Sequence, residues 1–227
     1  ELTRPNGLIL NTGPTGSGKT TTLYSFLRHI TNPEKKVITI EDPIEYKIEG
    51  IDQTQVDAEG GYTFSSGLRS VLRQDPDVLL IGEIRDGETA DIALQAALTG
   101  HLVFSTLHTN SSFGAIPRLV DLEVRPAAIA PAVNLIIAQR LVRILCACKQ
   151  EQPFTEEQKK AFSTLLEELP EQVDKTPYLE MFEKGVAYMP GSCDLCGGFG
   201  YKGRIGIFEF LRMTPEIQEL INKDTSE

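Results

Sequence analysis

One short segment, residues 13–20, restricts the possible folds of this chain more than any other feature. It fits the pattern G-x-x-x-x-G-K-[ST], which is typical of a phosphate-binding loop, or P-loop. An apolar run precedes the segment and a helix-like run follows it, so its flanks supply the strand–loop–helix context that the pattern requires. A glycine-rich turn that fits by chance would not be expected to satisfy both flanks. The matching residues are Gly13, Pro14, Thr15, Gly16, Ser17, Gly18, Lys19 and Thr20.

The residue types in this segment suit the binding of a nucleotide together with Mg²⁺. Its glycines allow the backbone N–H groups to turn inward around phosphate oxygens. Lys19 supplies a positive charge for the outer phosphates, and the hydroxyl of Thr20 is suited to ligating Mg²⁺. The helix that continues through Thr21 adds the partial positive charge of its amino terminus. We therefore predict a nucleotide-binding site that extends to Thr21.

Length and charge limit the remaining possibilities. The chain has 227 residues, which suits one large domain, or one large domain with a small second one. Its formal net charge of −10 argues against a nucleic-acid-binding surface over the whole chain. The uncharged apolar runs are too short to cross a bilayer. Because the chain begins with Glu1 and opens almost directly on a strand, we interpret it as a fragment of a longer protein.

Short apolar strands alternate with helices, which predicts an α/β fold with a mostly parallel sheet covered on both faces. Pro117 is expected to kink a helix over residues 112–122 or to delay its start. After residue 150 the chain becomes acidic, and Thr155 with Gln158 predicts a capping box for a helix through residue 169. The other predicted elements are strands at 37–40, 77–82, 102–106 and 141–145, edge strands within 48–61, and helices at 64–74, 88–99 and 126–139.

Two acidic segments follow predicted strands. Glu83 ends the apolar run at 77–82, and an acid in that place after a P-loop is expected to hold the Mg²⁺ shell. Glu41, Asp42 and Glu45 follow the strand at 37–40, where ligands bind in open α/β sheets. Hydrolysis of ATP needs a separate acid that orients the attacking water, and this segment offers three candidates. A polar loop with acids placed by chance is the alternative.

Histidines and arginines give weaker signals. His101 and His108 flank the strand at 102–106, and a polar cluster there could sense the state of the nucleotide, although each residue alone is more often structural. His29 is interpreted as a cation near a helix carboxyl end. Arg69 and Arg73 lie one helical turn apart and repel each other. Either an anionic partner or the nearby acids at 75 and 77 would offset that repulsion.

The four cysteines form two close pairs, which predicts a metal site before a disulfide. Four thiolates suit tetrahedral Zn²⁺, although the first pair has one intervening residue where a zinc knuckle usually has two or more. Reduced thiols without a metal and a disulfide are the alternatives. The four residues are Cys146, Cys148, Cys193 and Cys196.

The order of these motifs resembles that of the secretion ATPase superfamily, and most closely its type II secretion and type IV pilus assembly (extension) ATPases. The motifs are GPTGSGKTTTLY, ITIEDPIE, LRQDPDVLLIGEIRD, TGHLVFSTLHTN, AQRLVRILC and GYKGRIGIFEFL. The resemblance implies a RecA-like P-loop NTPase domain at residues 1–140. It also implies a four-cysteine zinc-binding subdomain with an acidic helical insertion at 141–211, and the start of a truncated helical region at 212–227. The short C-x-C pair and Pro117 depart from the family pattern.

The resemblance also implies roles for single residues. Glu83 would act on Mg²⁺ through water, and Glu45 would be the general base or water-positioning residue. Glu45 is preferred to Glu41 on the resemblance alone. His108 would approach the γ-phosphate with His101 in support. The four cysteines would bind zinc, which favours assembly or secretion motors over pilus-retraction motors, since the latter lack this site.

By the same resemblance, the protein would hydrolyse ATP to drive pilus or pseudopilus assembly. The full-length protein would be a homo-hexamer at the cytoplasmic face of the bacterial inner membrane, held there by a platform protein and a cytoplasmic adaptor, with no nucleic-acid partner expected. A preceding domain of the neighbouring subunit would supply arginines to the phosphate. The alternatives are a DNA-uptake or conjugation motor of the same superfamily, and a docking module that binds nucleotide without hydrolysing it.

Overall fold

The computed structural model describes residues 1–223, which form nine strands and eight α-helices. Up to the end of the sixth strand the elements are β1 (Gly7–Thr12), α1 (Lys19–Ile30), β2 (Val37–Glu41), β3 (Asp52–Gln55), α2 (Phe64–Leu72), β4 (Val78–Ile81), α3 (Gly87–Leu98), β5 (Leu102–Leu107), α4 (Ala115–Asp121), α5 (Pro126–Ala132) and β6 (Val133–Leu145). The later elements are β7 (Gln150–Pro153), α6 (Glu156–Glu168), α7 (Thr176–Lys184), β8 (Val186–Met189), a 3-10 turn at Asp194–Cys196, β9 (Tyr201–Arg212) and α8 (Pro215–Lys223).

The main sheet has the strand order β3-β2-β4-β5-β1-β6-β9. Every neighbouring pair from β3 to β6 is parallel. The carboxyl ends of these strands therefore meet at one edge of the sheet, which is where ligands bind in such folds. Residues of β1, β2, β4 and β5 are buried along their whole length, as expected for a parallel sheet with helices on both faces. The predicted α/β class is confirmed.

Two apolar clusters cover the two faces of the sheet. Leu8 and Leu10 of β1 belong to the cluster that includes residues of α2, α3 and α5, whereas Ile9 belongs to the cluster that includes α1. Successive strand residues point to opposite faces, so this alternation places α1 on one face and the other three helices on the other. The P-loop helix thus packs on its own face of the sheet.

The chain divides into two compact units. The larger unit comprises Glu1–Leu141 and the segment from Gly206 onward, and the smaller unit is Val142–Ile205. Residues 206–211, which the expected division assigns to the cysteine subdomain, thus fall in the larger unit. Within the smaller unit, β7 and β8 pair antiparallel from Gln150 to Pro153, and α6 packs against α7.

One predicted element is wrong. Residues 126–139 are predicted as one helix, but α5 ends at Ala132 and residues from Val133 onward form β6. The predicted strand at 141–145 is the end of this same strand. A short apolar run does not distinguish a buried helix from a buried strand. Here the run lies beside β1, so its buried half is hydrophobic on both faces and shows no period of two.

Other expectations agree with the structure. The capping box of α6 forms between Thr155 and Gln158. Helix α4 begins at Ala115, so Pro117 lies in its first turn, where the missing N–H costs little. Strand β3 lies at the sheet edge. The expected helical start after residue 212 appears as α8, while 224–227 lie outside the described residues. None of the described helices combines the length and the hydropathy needed to cross a membrane.

Candidate nucleotide-binding site

The P-loop joins the carboxyl end of β1 to the amino end of α1. Gly18 precedes the helix with φ +88° and provides no side-chain hydrogen bond to the helix amino terminus. Gly13 has φ +146°, and a Cβ atom there would lie 2.3 Å from the carbonyl oxygen of Gln139. Only glycine fits that position, because β6 approaches the loop so closely.

Lys19 lies folded over this loop. Its Nζ donates to the carbonyl oxygens of Gly13 (2.9 Å) and Pro14 (3.1 Å). Burial lowers the pKa of Lys19, while the carboxylate of Glu83 opposes that shift. The ammonium group therefore lies close enough to Glu83 to be attracted by its negative charge, and it lies on the loop that is expected to hold the phosphates.

The loop offers unfilled hydrogen-bonding capacity, which is the feature a nucleotide would use. The hydroxyl oxygen of Ser17 is buried and has no hydrogen-bond partner among the described residues. Thr20 and Thr21 are exposed in the first turn of α1, whose amino terminus lacks a side-chain cap. A buried polar atom without a partner costs free energy, so a phosphate group at this place would stabilise the loop.

Two side chains contact the carboxylate of Glu83, which follows β4, and a third is joined to it through Arg85. The Nε2 atom of His108 lies 3.2 Å from Oε2 of Glu83. The guanidinium of Arg85 pairs with Glu83 and reaches Asp42, at 3.4 Å from its Oδ2. Because His108 follows β5 and Asp42 follows β2, this cluster joins the carboxyl ends of three adjacent strands.

The acids after β2 fall into two different environments. Glu41 is only 3% exposed, and its carboxylate accepts hydrogen bonds from Tyr24, from Thr39 (2.5 Å) and from Gln53 (3.1 Å). Glu45 is exposed, and its carboxylate makes no hydrogen bond or ion pair within residues 1–223. The sequence alone could not separate these two acids, but their surroundings do.

Two predicted contributors lie elsewhere or have other partners. His101 is wrong as a support for His108, because it precedes β5 at the opposite edge of the sheet and contacts the carbonyl oxygen of Ala96 through Nδ1 (3.0 Å). Arg69 pairs with Glu88 (2.7 Å), and this contact lowers the pKa of Glu88. Neither of the acids proposed from the sequence, at 75 and 77, is its partner.

Sequence reasoning missed Gln139. Its Oε1 accepts hydrogen bonds from Nδ2 of Asn11 and from the hydroxyl of Thr22, both at 2.9 Å. It therefore ties β6 to β1 and to the P-loop helix. In the sequence, Gln139 is a single polar residue at the end of an apolar run. Because that run was predicted to be a helix, the position of Gln139 beside β1 could not be recognised.

A second tie joins β1 to the loop after β5. Thr12 and Thr109 contact each other through their hydroxyls at 2.6 Å, and the backbone N–H of Thr109 donates to Thr12 (2.8 Å). Arg140 holds the next residue, Asn110, through its carbonyl and side-chain oxygens, both at 3.1 Å. The loop that carries His108 is thus fixed relative to the P-loop strand.

The four cysteines gather within the smaller unit, and their Sγ atoms all lie within 4.8 Å of one another. Sγ–Sγ distances are 3.8 Å for Cys146–Cys193, 3.8 Å for Cys148–Cys196 and 3.7 Å for Cys193–Cys196. A tetrahedron with Zn–S bonds of about 2.3 Å has Sγ–Sγ edges of about 3.8 Å. A disulfide would need about 2.05 Å, so that alternative does not fit. The donor set could hold a metal ion.

The backbone around the cysteines supports the sulfur atoms. Gly191 packs against Cys148, where a Cβ atom would lie 1.9 Å from the carbonyl oxygen. The N–H of Gly200 donates to Sγ of Cys196 (3.2 Å). Desolvation raises the pKa of Cys196, but hydrogen bonds with the backbone and with neighbouring cysteines together lower it, whereas desolvation and the neighbouring cysteines raise the pKa of Cys148.

Comparison with known proteins identifies the family. All 227 residues match the family described as Type II/IV secretion system protein. The chain belongs to this family. As a family member, it is 47% identical over 227 residues to the type II secretion system protein E of Klebsiella pneumoniae. That alignment covers 100% of the chain and 42% of the relative.

Further family relatives include a pilus protein and a solved motor structure. The chain is 48% identical over 225 residues to the type IV pilus assembly ATPase PilB of Pseudomonas aeruginosa, covering 98% of the chain and 37% of PilB. The crystal structure of the pilus retraction motor PilT with bound ADP matches with a TM-score of 0.68 and 33% identity. It covers 98% of this chain and 52% of PilT. This family member thus spans about half or less of the length of these relatives.

Proposed function

We propose that this chain is the nucleotide-hydrolysing part of an ATPase that drives pilus or pseudopilus assembly, in type IV pilus biogenesis or type II protein secretion. One observation carries the proposal: four groups follow four strands of one parallel sheet and therefore meet at its carboxyl edge. These groups are the P-loop, Glu83, His108 and the Glu45 carboxylate. The named relatives, a secretion protein E and a pilus assembly ATPase, support the same assignment.

In this proposal each group has one role. Lys19 and the loop N–H groups would bind the phosphates, and Thr20 and Glu83 would hold Mg²⁺, which would neutralise charge on the phosphate oxygens. His108 lies against Glu83 and would contact the γ-phosphate. Glu45 orients the attacking water, and it would accept the proton that the water loses.

The surroundings of the two glutamates support Glu45 over Glu41 as the residue that acts on water. Three hydrogen bonds occupy the Glu41 carboxylate in a buried position, which leaves little room for a water molecule. The Glu45 carboxylate is exposed and keeps its lone pairs free. A general base must lie within hydrogen-bond reach of the proton that it takes.

The test is Glu45→Gln in the full-length protein, with Glu49→Gln as a matched control. Glu49 is exposed on the same segment between β2 and β3, so its substitution removes the same charge. We expect Glu45→Gln to retain ATP binding and to lose at least about 10²-fold in turnover, since that is the usual contribution of a general base. Wild-type turnover in Glu45→Gln would refute the role. ATP binding without turnover in the wild-type full-length protein would instead favour the docking module that binds nucleotide without hydrolysis.

We also propose that the four cysteines bind one zinc ion per chain. The Sγ–Sγ distances, which match the edges of a tetrahedral Zn–S₄ site, support this proposal. Metal analysis of the purified protein should give one equivalent of zinc, which Cys193→Ser should lose and the control Ser192→Ala should keep. Purified protein without zinc would instead support reduced, unligated thiols.

The assembly remains a proposal that rests on the family. The full-length protein would form a homo-hexamer at the cytoplasmic face of the inner membrane, bound to a platform protein and a cytoplasmic adaptor. Arginines from the neighbouring subunit would complete the site, and such residues contribute about 10³–10⁵ in other P-loop enzymes. The 227-residue chain alone should therefore turn over far more slowly than the full-length hexamer. Equal turnover per site would contradict this arrangement.

A further inference from the structure

We propose that Tyr24 is a positioning residue that fixes the Glu45 segment relative to the P-loop. The inference rests on the proposed function, in which Glu45 orients the attacking water. It adds a residue on α1 that contacts neither phosphate nor water and acts through the acidic segment. Tyr24 links the P-loop helix to Glu41 and to Tyr46, the residue that follows Glu45.

Tyr24 lies on the helix that Lys19 begins. Its side chain is fully buried among the apolar residues of α1 and β2, yet its hydroxyl donates to the carboxylate of Glu41. Burial, the adjacent Glu41 and the nearby charge of Glu45 raise the pKa of Tyr24, while a hydrogen bond with the Glu45 backbone opposes that shift. The phenol is therefore a protonated donor to Glu41, and its oxygen also lies close to the backbone of Glu45.

The hydrogen bonds continue from Glu41 to the residue after Glu45. Nε2 of Gln53 donates both to Glu41 (3.1 Å) and to the carbonyl oxygen of Tyr46 (3.2 Å). Thr39 holds Glu41 from a third side. A buried carboxylate that accepts several hydrogen bonds holds its donors in fixed positions, because the loss of any donor would leave a buried oxygen with fewer partners.

Ring packing supports the same segment. The rings of Tyr24 and Tyr46 meet edge to face, with centroids 4.7 Å apart and an interplanar angle of 81°. Arg28, one turn further along α1, lies with Cζ 5.4 Å from the Tyr46 ring centroid. Two residues of the P-loop helix thus contact the ring of Tyr46.

The other neighbour of Glu45 is also held. The N–H of Ile44 donates to Oε1 of Gln55 (3.2 Å) on β3. The backbone on both sides of Glu45 is therefore fixed, while its exposed carboxylate makes no hydrogen bond or ion pair within residues 1–223. The position of the Glu45 carboxylate is thus set through its backbone, and its oxygen lone pairs remain available to bind water. Preorganised sites hold a catalytic group by supporting contacts of this kind. Tyr24 connects it to the helix that starts at the phosphate loop.

A purely structural tyrosine makes a different prediction from a positioning residue. Loss of a structural hydroxyl lowers stability but leaves turnover per folded molecule unchanged. Loss of a positioning hydroxyl lowers kcat with little change in the KM for ATP, because phosphate binding by the P-loop remains. Tyr62 supplies a matched control. Its hydroxyl donates to Thr54 of β3 (3.1 Å), and no hydrogen bond joins its side chain to residues 41–46 among the described residues.

The experiment compares Tyr24→Phe and Tyr62→Phe in the full-length protein. We expect kcat of Tyr24→Phe to fall roughly ten- to hundredfold, since a misplacement of about 1 Å can have that effect. Its KM for ATP should change by less than about threefold, and Tyr62→Phe should keep wild-type kcat. Unchanged kcat in Tyr24→Phe, or a change in KM alone, would overturn the proposal.

A double variant separates this inference from the proposed function. If Tyr24 acts through Glu45, adding Tyr24→Phe to Glu45→Gln should lower the residual rate, measured by release of radiolabelled phosphate, by less than about twofold. An equal loss in both backgrounds would show that Tyr24 acts independently of Glu45, and would overturn the inference alone. Wild-type turnover in the single variant Glu45→Gln would instead overturn the proposed role of Glu45.

Discussion

Replacing Gln139 by leucine tests how β6 is attached to the phosphate loop. The side chain is 3% exposed, and its Oε1 is the acceptor for Asn11 on β1 and Thr22 on α1. Leucine has a similar size but no acceptor. The substitution therefore removes two hydrogen bonds in the larger unit while it leaves the packing volume nearly unchanged.

The expected loss follows from the burial of the two donors. Asn11 is 0% exposed, so its amide cannot recover a partner from water, and an unsatisfied buried donor costs about 1–3 kcal/mol. Thr22 is half-buried and its hydroxyl can rotate, so its bond adds about 0.5–1 kcal/mol. The apolar surface of leucine offsets roughly 1 kcal/mol. We expect a net destabilisation of about 2 kcal/mol.

The measurement is urea unfolding of the 227-residue chain, with Gln95→Leu as the control. Gln95 is exposed on α3, and its side chain makes no hydrogen bond within the described part of the chain. The midpoint should fall for Gln139→Leu and stay near the wild type for Gln95→Leu, with no change in slope. The reasoning would be refuted if the two variants differed in stability by less than about 0.5 kcal/mol.

Two further predictions concern the loop glycines and an acid near the loop after β5. Gly18→Ala should weaken ATP binding more than Gly16→Ala. Both glycines have positive φ, but a Cβ at Gly18 would lie 2.9 Å from Nε2 of Gln139, whereas a Cβ at Gly16 would meet no atom within 4 Å. Equal ATP affinities of the two variants, measured by titration, would contradict this prediction. Glu209→Gln should lower the free energy of unfolding at pH 7. Hydrogen bonds from Ser112 hold the pKa of Glu209 in the folded protein below its value in the unfolded chain, so the ionised carboxylate stabilises the fold at pH values above the unfolded-state pKa. That difference should shrink as the pH falls below the unfolded carboxyl pKa of about 4.3, in urea titrations at several pH values.

Local patterns determined what could be predicted from the sequence. The P-loop and Glu83 were found because each depends on a few consecutive residues that follow a strand. The boundary at Val133 could not be found, because an apolar run beside β1 is hydrophobic on both faces and its period is lost. The choice between Glu41 and Glu45 could not be made either. It depends on Tyr24, which is 17 residues away in sequence but in contact with Glu41.

The carboxyl edge of the sheet also explains which groups remain available for a ligand. Polar residues there are costly to bury, and most are paired with one another across neighbouring elements, as Asn11 is with Gln139 and Thr12 with Thr109. These pairs fix the loops without any ligand. The hydroxyl of Ser17 and the carboxylate of Glu45 have no such partner within residues 1–223. A framework in which most polar groups are paired, and which leaves these two without a hydrogen bond among the described residues, is preorganised for a phosphate at one and a water molecule at the other.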